Sequence, residues 1–224
     1  MPNWQVYSFL FAFAAVVGAI AYLSNRAERR RVEALQELAP TLGFSLTPGS
    51  LKPEDASIDA TVLSLPLLRR GRSRRVRNVM RAQGAAGEQV LLDYRYTVSS
   101  GKSSHVVEQT VLAACWRGVQ IPAFRLHPER VTDRIAQWFG AANIEFDSNP
   151  EFSKSYALSG PDPDELRGYF ERHAVAFFGS TPGWNVEGSG EWVIVFHAGR
   201  REKPEGLSAF LESARQVARL FQSR

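Results

Sequence analysis

The chain opens on an unbroken apolar run. From Trp4 to Leu23 it reads WQVYSFLFAFAAVVGAIAYL, twenty residues without a charge or a proline. As a helix rising about 1.5 Å per residue, this run covers roughly 30 Å, the thickness of a bilayer's hydrocarbon core. Trp4 and Tyr7 mark one interface and Tyr22 the other, where amphipathic rings settle. Residues 1–3 carry no Lys or Arg, and the run leaves through Tyr22-Leu23-Ser24-Asn25-Arg26 without a small-x-small site. Both features argue for a retained anchor over a cleaved signal peptide. Arg26, Arg29, Arg30 and Arg31 follow, with Glu28 among them, and positive flanks stay on the cytoplasmic side. The pattern therefore predicts a transmembrane anchor over residues 1–24, an N-terminus outside, and a cytoplasmic domain over 25–224.

Beyond the span the periodicity changes repeatedly. Val32, Leu35, Leu38 and Leu42 continue a helix that Gly43 can end and Pro40 should bend or shorten. Phe44–Thr47 is a short strand closed by Pro48-Gly49, and Pro53-Glu54-Asp55 starts a helix with Ile58, Val62, Leu63 and Leu65 on its apolar side, interrupted by Pro66. From Arg75, the residues Val76, Asn78 and Met80 alternate with arginines, which predicts one strand with an arginine face. Gln89–Val98 and His105–Trp116 are further strands, joined by a turn at Ser99–Lys102, so that three strands form an antiparallel meander; Pro122–Leu126 is a candidate fourth.

Two similar passages follow. Phe124-Arg125-Leu126 precedes Pro128 and a helix with Val131, Ile135, Trp138 and Phe139 on its apolar face. Tyr156-Ala157-Leu158 precedes Pro161 and a helix with Leu166, Tyr169, Phe170, His173 and Phe177. The common grammar of helix starts and stops explains the likeness more cheaply than a duplication. Asn143–Phe146 is a short strand between them, and Glu151–Lys154 a turn into the next strand. Trp184–Glu187 and Glu191–His197 form a hairpin around Gly188-Ser189-Gly190, and a last helix from Pro204 buries Leu207, Phe210, Leu211, Ala214, Val217, Ala218 and Phe221. The predicted class is α+β, a mainly antiparallel sheet packed with amphipathic helices behind a transmembrane helix. The pattern leaves open one core or two strand–helix units divided near residue 148.

Composition supports a folded domain: 44% of residues are hydrophobic and five are Trp. One cysteine, Cys115, excludes an intrachain disulfide and makes a cysteine-based metal site improbable. The net charge of +4 is local, because residues 69–81 hold Arg69, Arg70, Arg72, Arg74, Arg75, Arg77 and Arg81 and no acid; without those seven it would be −3.

Catalytic patterns are weak. Ser99-Ser100-Gly101-Lys102-Ser103 has the end of a P-loop, but Tyr96 stands where the first glycine belongs. Gly188-Ser189-Gly190 lacks the spacing of a nucleophile elbow. His105, His127, His173 and His197 are far apart, with no metal-ligand pair among them. Asp162, Asp164 and Glu165 read as helix-start carboxylates. No catalytic residue, metal ligand or cofactor is assigned.

The arginine stretch is the one feature with functional content. Against its plainest reading, a solvated strand face, stands its position on a domain tethered to an anionic leaflet, where each arginine near the surface is worth roughly 1 kcal/mol. Base-stacking aromatics are absent from residues 66–81, which places anionic lipid or an acidic protein partner above nucleic acid.

Four segments carry a resemblance: RRVRNV (Arg74 to Val79), LLDYRYTV (Leu91 to Val98), IPAFRLHPE (Ile121 to Glu129) and PEFSKSYALSG (Pro150 to Gly160). Through them the chain resembles a group of uncharacterised bacterial membrane-anchored proteins with one N-terminal transmembrane helix and a cytoplasmic α+β domain. The resemblance implies a bacterial inner-membrane location and no activity. The expected function is that of a bitopic membrane protein with a non-catalytic interaction domain, its seven arginines facing lipid or an acidic partner. The alternative is a membrane-tethered, hydrolase-like enzyme with a site assembled from distant Ser, His and acidic residues.

Overall fold

The computed structural model describes residues 4–85, 87–101, 103–129 and 144–222. Helix α1 runs from Trp4 to Thr41, 38 residues or about 57 Å. That is nearly twice the depth of a bilayer core, so the helix has two environments. Phe9, Phe11, Phe13, Ile20 and Leu23 are exposed, whereas Leu35 and Ala39 are buried against the domain. Among the described residues this is the single helix long and apolar enough to cross a membrane. Pro40 lies inside the helix, one residue before its end at Thr41. Gly43, at φ 78°, then closes the helix: Phe44 N–H reaches Ala39 O at 2.8 Å and Gly43 N–H reaches Pro40 O at 3.1 Å, a Schellman arrangement.

Among the described residues eight antiparallel strands form one sheet: β1 (Ser45–Leu51), β2 (Arg72–Gly84), β3 (Gly87–Ser100), β4 (Ser103–Cys115), β5 (Ile121–Pro128), β6 (Tyr156–Ser159), β7 (Asn185–Gly190) and β8 (Trp192–Phe196). Their order is β1-β2-β3-β4-β8-β7-β5-β6. The α+β class with a mainly antiparallel sheet is the one the sequence predicts. The candidate fourth strand, β5, does not extend the meander, because the β7–β8 hairpin lies between it and β4. The reason is visible in β8, where every residue from Trp192 to Phe196 is buried. A strand apolar on both faces belongs in the middle of a sheet. Strands that follow residue 148 hydrogen-bond into the same sheet as those that precede it.

Each face carries its own core. Val193, Val195, Leu91, Leu112 and Leu126 point to the helical side, where they meet Leu35 and Ala39 of α1, Phe170 of α5 (Pro163–His173), Phe178 of α6 (Val175–Ser180) and Leu211, Ala214 and Phe221 in and after α7 (Leu207–Arg219). Trp192, Ile194, Phe196, Leu92 and Tyr94 point to the other side, under α2 (Ala60–Ser64) and α3 (Pro66–Arg69). The single helix expected from Pro53 is instead a 3-10 turn at Pro53–Asp55 followed by α2 and α3. Leu65, preceding Pro66, is held extended at ψ 146°, as the proline ring requires.

Four other local differences are small. β1 continues through Pro48-Gly49 by a bulge between Thr47 and Ser50, which an edge strand tolerates. Glu151–Lys154 lies in a short helix, α4 (Pro150–Ser155), capped by the Asn149 side chain on Phe152 N–H at 3.0 Å. Ala174, at φ −134°, separates α5 from α6 where one helix was expected. Residues 144–146 are not a strand, although Ile144 N–H bonds Leu158 O at 2.9 Å. The helix predicted after Pro128, with Val131, Ile135, Trp138 and Phe139, lies outside the described residues.

Phe170 is fully buried at the meeting of three elements, with ring centroids 4.8 Å from Phe124 and 5.8 Å from Phe221. Phe170→Ala should lower unfolding free energy by about 3–5 kcal/mol, read as a shifted denaturation midpoint of the detergent-solubilised chain.

Candidate functional site

The arginine stretch does not form one face. Val76 is buried on the α2–α3 side and Met80 on the helical side. The predicted alternation fails because a bulge lies between Arg77 and Met80, centred on Asn78 at φ 50°. A bulge adds one residue and turns the following side chains over. It reverses Arg81 relative to Arg77, and a separate irregularity between Arg72 and Arg75, with Ser73 at φ 49°, interrupts the run earlier. Arg70 lies 5.7 Å over the Tyr96 ring, and Arg74 donates to Leu68 O at 3.0 Å and Glu54 at 3.4 Å. Arg81 donates to the carbonyls of Ala56 and Ser57, and Arg77 meets Glu108 at 3.5 Å and Glu28 at 3.8 Å. Arg69, Arg72 and Arg75 are exposed. Among the described residues none of these three has a carboxylate within 4.0 Å, and Arg75 reaches its neighbour Arg74 O at 3.2 Å.

Beside this stretch lies a charge cluster that joins α1 to the sheet. Asp93, on β3, is buried on the face that α1 covers. Arg31 of α1 grips it with both prongs, Nε to Oδ2 and Nη2 to Oδ1, each at 2.8 Å. Arg31 also donates to Glu202 O. Arg201, in the turn after β8, places Nη2 2.9 Å from Asp93 Oδ2 and 2.8 Å from Glu28 Oε1. Asn78 donates to Glu28 at 2.8 Å and to Asp93 at 3.2 Å, and Thr110 Oγ1 donates to Asp93 Oδ1 at 3.1 Å. The bulge is what turns the Asn78 amide toward both carboxylates. Glu108 extends the cluster to Arg77, Arg95 and Arg201 at 3.5–3.6 Å.

Burial pushes the Asp93 carboxyl up, but the Arg31 hydrogen bonds and the charges of Arg31 and Arg201 outweigh it and hold it below the usual range. Glu28 behaves alike: burial raises it, and Arg201, Asn78 and Arg77 bring it down. Arg31 was expected among the positive flanks of the span. Its guanidinium is instead bound inside the protein, while Arg26, Arg29 and Arg30 stay exposed.

A second buried pair lies under α3 on the opposite face. Arg125 and Glu187 are register partners on β5 and β7, 3.5 Å apart. Glu187 Oε2 accepts Leu67 N–H at 2.8 Å, and Tyr94 OH donates to Leu68 O at 3.0 Å, so two bonds pin α3 to the sheet. Burial drives the Glu187 carboxyl up to about 7, with Arg125, Leu67 N–H and Arg70 opposing it. Periodicity missed both pairs because Asp93, Arg125 and Glu187 sit in alternations where they read as solvent-facing positions.

The described histidines have separate surroundings. His105 is exposed. His127 Nδ1 lies 3.1 Å from Pro128 O, and His197 stacks on Trp184 at 3.9 Å with Nδ1 2.9 Å from Gly183 O. Cys115 is buried, with Sγ 4.0 Å from Glu191. Among the described residues no group of three His, Cys, Asp or Glu is arranged to hold a metal ion. Ser99–Ser103 joins β3 to β4, without the helix a P-loop needs. Asp162 caps α5 through Glu165 N–H at 3.0 Å. Two open depressions, of about 400 Å³ beside α7 and about 260 Å³ at Cys115 and Trp116, contain no histidine.

No family model and no curated protein matches this chain. Among solved structures it is similar to the crystal structure of the mycobacterial trehalose monomycolate transport factor A, TtfA. The TM-score is 0.55 at 14% identity, over 87% of this chain and 94% of that one. At that identity the likeness is one of fold.

The two buried pairs predict opposite limbs of a pH–stability profile. Asp93 and Glu28, lowered in the fold, contribute fully above the ordinary carboxylate range and lose their contribution as pH falls through their folded values. Glu187, raised to about 7, costs stability as pH climbs from 4.5 toward that value. Denaturation of the solubilised chain should show maximal stability near pH ~5. Asp93→Asn should cost about 3–5 kcal/mol, because Arg31 and Arg201 lose their buried counter-charge, and should flatten the acid limb. Glu187→Gln should flatten the limb above pH ~5.

Proposed function

We propose that this chain is a single-span membrane protein whose cytoplasmic domain is a non-catalytic interaction module, held at a fixed height and orientation over the inner leaflet. The observation that carries the reading is the clamp of Arg31 and Glu28 on Asp93 and Arg201. A flexible tether would let the domain tumble; a continuous helix locked to the sheet by bidentate, buried ion pairs fixes which surface faces where. Such a device suits a component that must present one surface to a membrane assembly. Exposed Arg69, Arg72 and Arg75 give that surface a positive sign, fitted to anionic lipid or an acidic partner. The similar TtfA is a transport factor, and we read the present chain as an accessory factor of a transport assembly at a bacterial inner membrane.

The test is photo-crosslinking in growing cells, with the full-length chain carrying a photoreactive residue in place of Arg69. A discrete protein adduct in the membrane fraction, lost when Asp93→Asn releases the clamp, is the expected result. Labelling of the native chain by a fluorophosphonate probe would overturn the reading in favour of a tethered serine hydrolase.

A further inference from the structure

The membrane side of the domain can be found by following α1 against the sheet. Glu28 and Arg31 sit at Asp93 and Asn78. Further from the span, Phe44 lies 5.5 Å under the Arg215 guanidinium, and Arg215 Nε donates to Gln89 at 2.9 Å. As α1 leads away from the membrane, its neighbours on β3 run from Asp93 back to Gln89. In the opposite sense, β3 from Asp93 to Ser100 therefore approaches the membrane. Those eight residues, seven steps from first to last, span about 24 Å, and a strand inclined by as much as 60° still advances about 12 Å. From Glu28 back to Leu23, α1 advances about 8 Å. At that inclination or less, the end of β3 reaches the level of Leu23.

Register shows what accompanies it. Arg72 pairs with Thr97 and Arg75 with Arg95, while Leu51 at the end of β1 pairs with Val76. On β4, Val106 pairs with Thr97. Arg72, Arg75, Leu51 and Val106 thus share the membrane-facing end of the sheet. Leu51 and Val106 are the two large apolar side chains outside α1 that are exposed among the described residues, at 38% and 48%. Charge follows the same axis. Around Asp93 every arginine meets a carboxylate. Beyond that level neither Arg69–Arg77 nor Thr97–Val107 contains an acid, and the carboxylate that Glu54 brings there is taken up by Arg74, leaving Arg72 and Arg75 without one among the described residues. Cations in front and isolated apolar side chains beside them are what a headgroup layer accommodates.

We infer that this end of the sheet, Leu51, Arg72, Arg75 and the β3–β4 hairpin, is a lipid-contact surface that binds the phosphates of anionic phospholipids in the leaflet α1 enters. This rests on the proposed fixed orientation of the domain and names what one end of it meets. The contact adds a second attachment beside the one made by the helix.

The test uses the full-length chain in nanodiscs of neutral lipid, or with phosphatidylglycerol, containing headgroup-spin-labelled lipid as quencher. A fluorophore is attached through Ser104→Cys, in a Cys115→Ala background that removes the native thiol. Ala85→Cys, exposed in the turn at the opposite end of the sheet, is the reference. Severalfold stronger quenching at 104 than at 85 with phosphatidylglycerol, reduced by Arg72→Ser with Arg75→Ser and restored by lysine at both positions, is the expected result. Equal quenching at 104 and 85 would overturn the inference, as would quenching indifferent to the arginines and to lipid charge. Neither result depends on the protein adduct sought in cells, so the interaction-module reading and the lipid contact fail separately.

Discussion

The buried carboxylate of Asp93 is the constraint on which the rest of this molecule depends. A single carboxylate under α1 would be severely destabilising if left alone, since ion desolvation costs several kcal/mol. Two guanidiniums from remote parts of the chain, Arg31 and Arg201, together with Thr110 and Asn78, satisfy it. The consequence is directional. Hydrophobic contacts of Leu35 and Ala39 would let α1 slide or rotate at little cost, because apolar packing is weakly specific in register. A bidentate guanidinium–carboxylate pair has one geometry. The cluster converts an amphipathic helix lying on a sheet into a helix with a fixed rotation and height, and the span above it inherits both.

The Asn78 bulge is the backbone counterpart of that pairing. It puts a non-glycine residue at φ 50°, a conformation Asn tolerates better than most. In exchange the strand delivers an amide to Glu28 and Asp93 and reverses the side chains that follow. Arg77 faces the cluster while Arg81 turns to the carbonyls of Ala56 and Ser57. One inserted residue thereby places Arg77 and Arg81 on opposite faces, which no uniform strand would do.

How much of this was legible in the sequence follows from what periodicity records. The apolar span, the meander of β2 to β4 and helix α7 were legible because each buries one face or one stripe over many residues. The insertion of β7–β8 beside β4 was not, because strand order is a long-range property; the solidly apolar run Trp192–Phe196 was its one local trace. The bulge showed only as Val79 disturbing an alternation. Asp93, Arg201, Glu187 and Arg125 were invisible as a site. An ionised residue between apolar neighbours reads as solvent-facing, and only the fold reveals that its partner arrives from 62 or 108 residues away. The arginine stretch was conspicuous for the opposite reason: its charges are adjacent in sequence, whereas four of the seven are engaged within the protein.

That division also explains the sign of the surface. An exposed arginine paired to a carboxylate contributes little field beyond its neighbours, since the pair is nearly neutral at a distance. In this chain the acids Glu28, Asp93 and Glu108 lie at one level along α1 and neutralise the arginines there. Past that level Glu54 meets Arg74, while among the described residues Arg72 and Arg75 have no carboxylate within 4.0 Å. The charges are therefore balanced to within one, four arginines against three carboxylates, where helix and sheet are joined, and unbalanced toward positive at Arg72 and Arg75. A field of this shape favours one orientation over an anionic leaflet and opposes the inverted one. In the proposed orientation, electrostatics and the Arg31–Asp93 clamp act in the same sense by independent means.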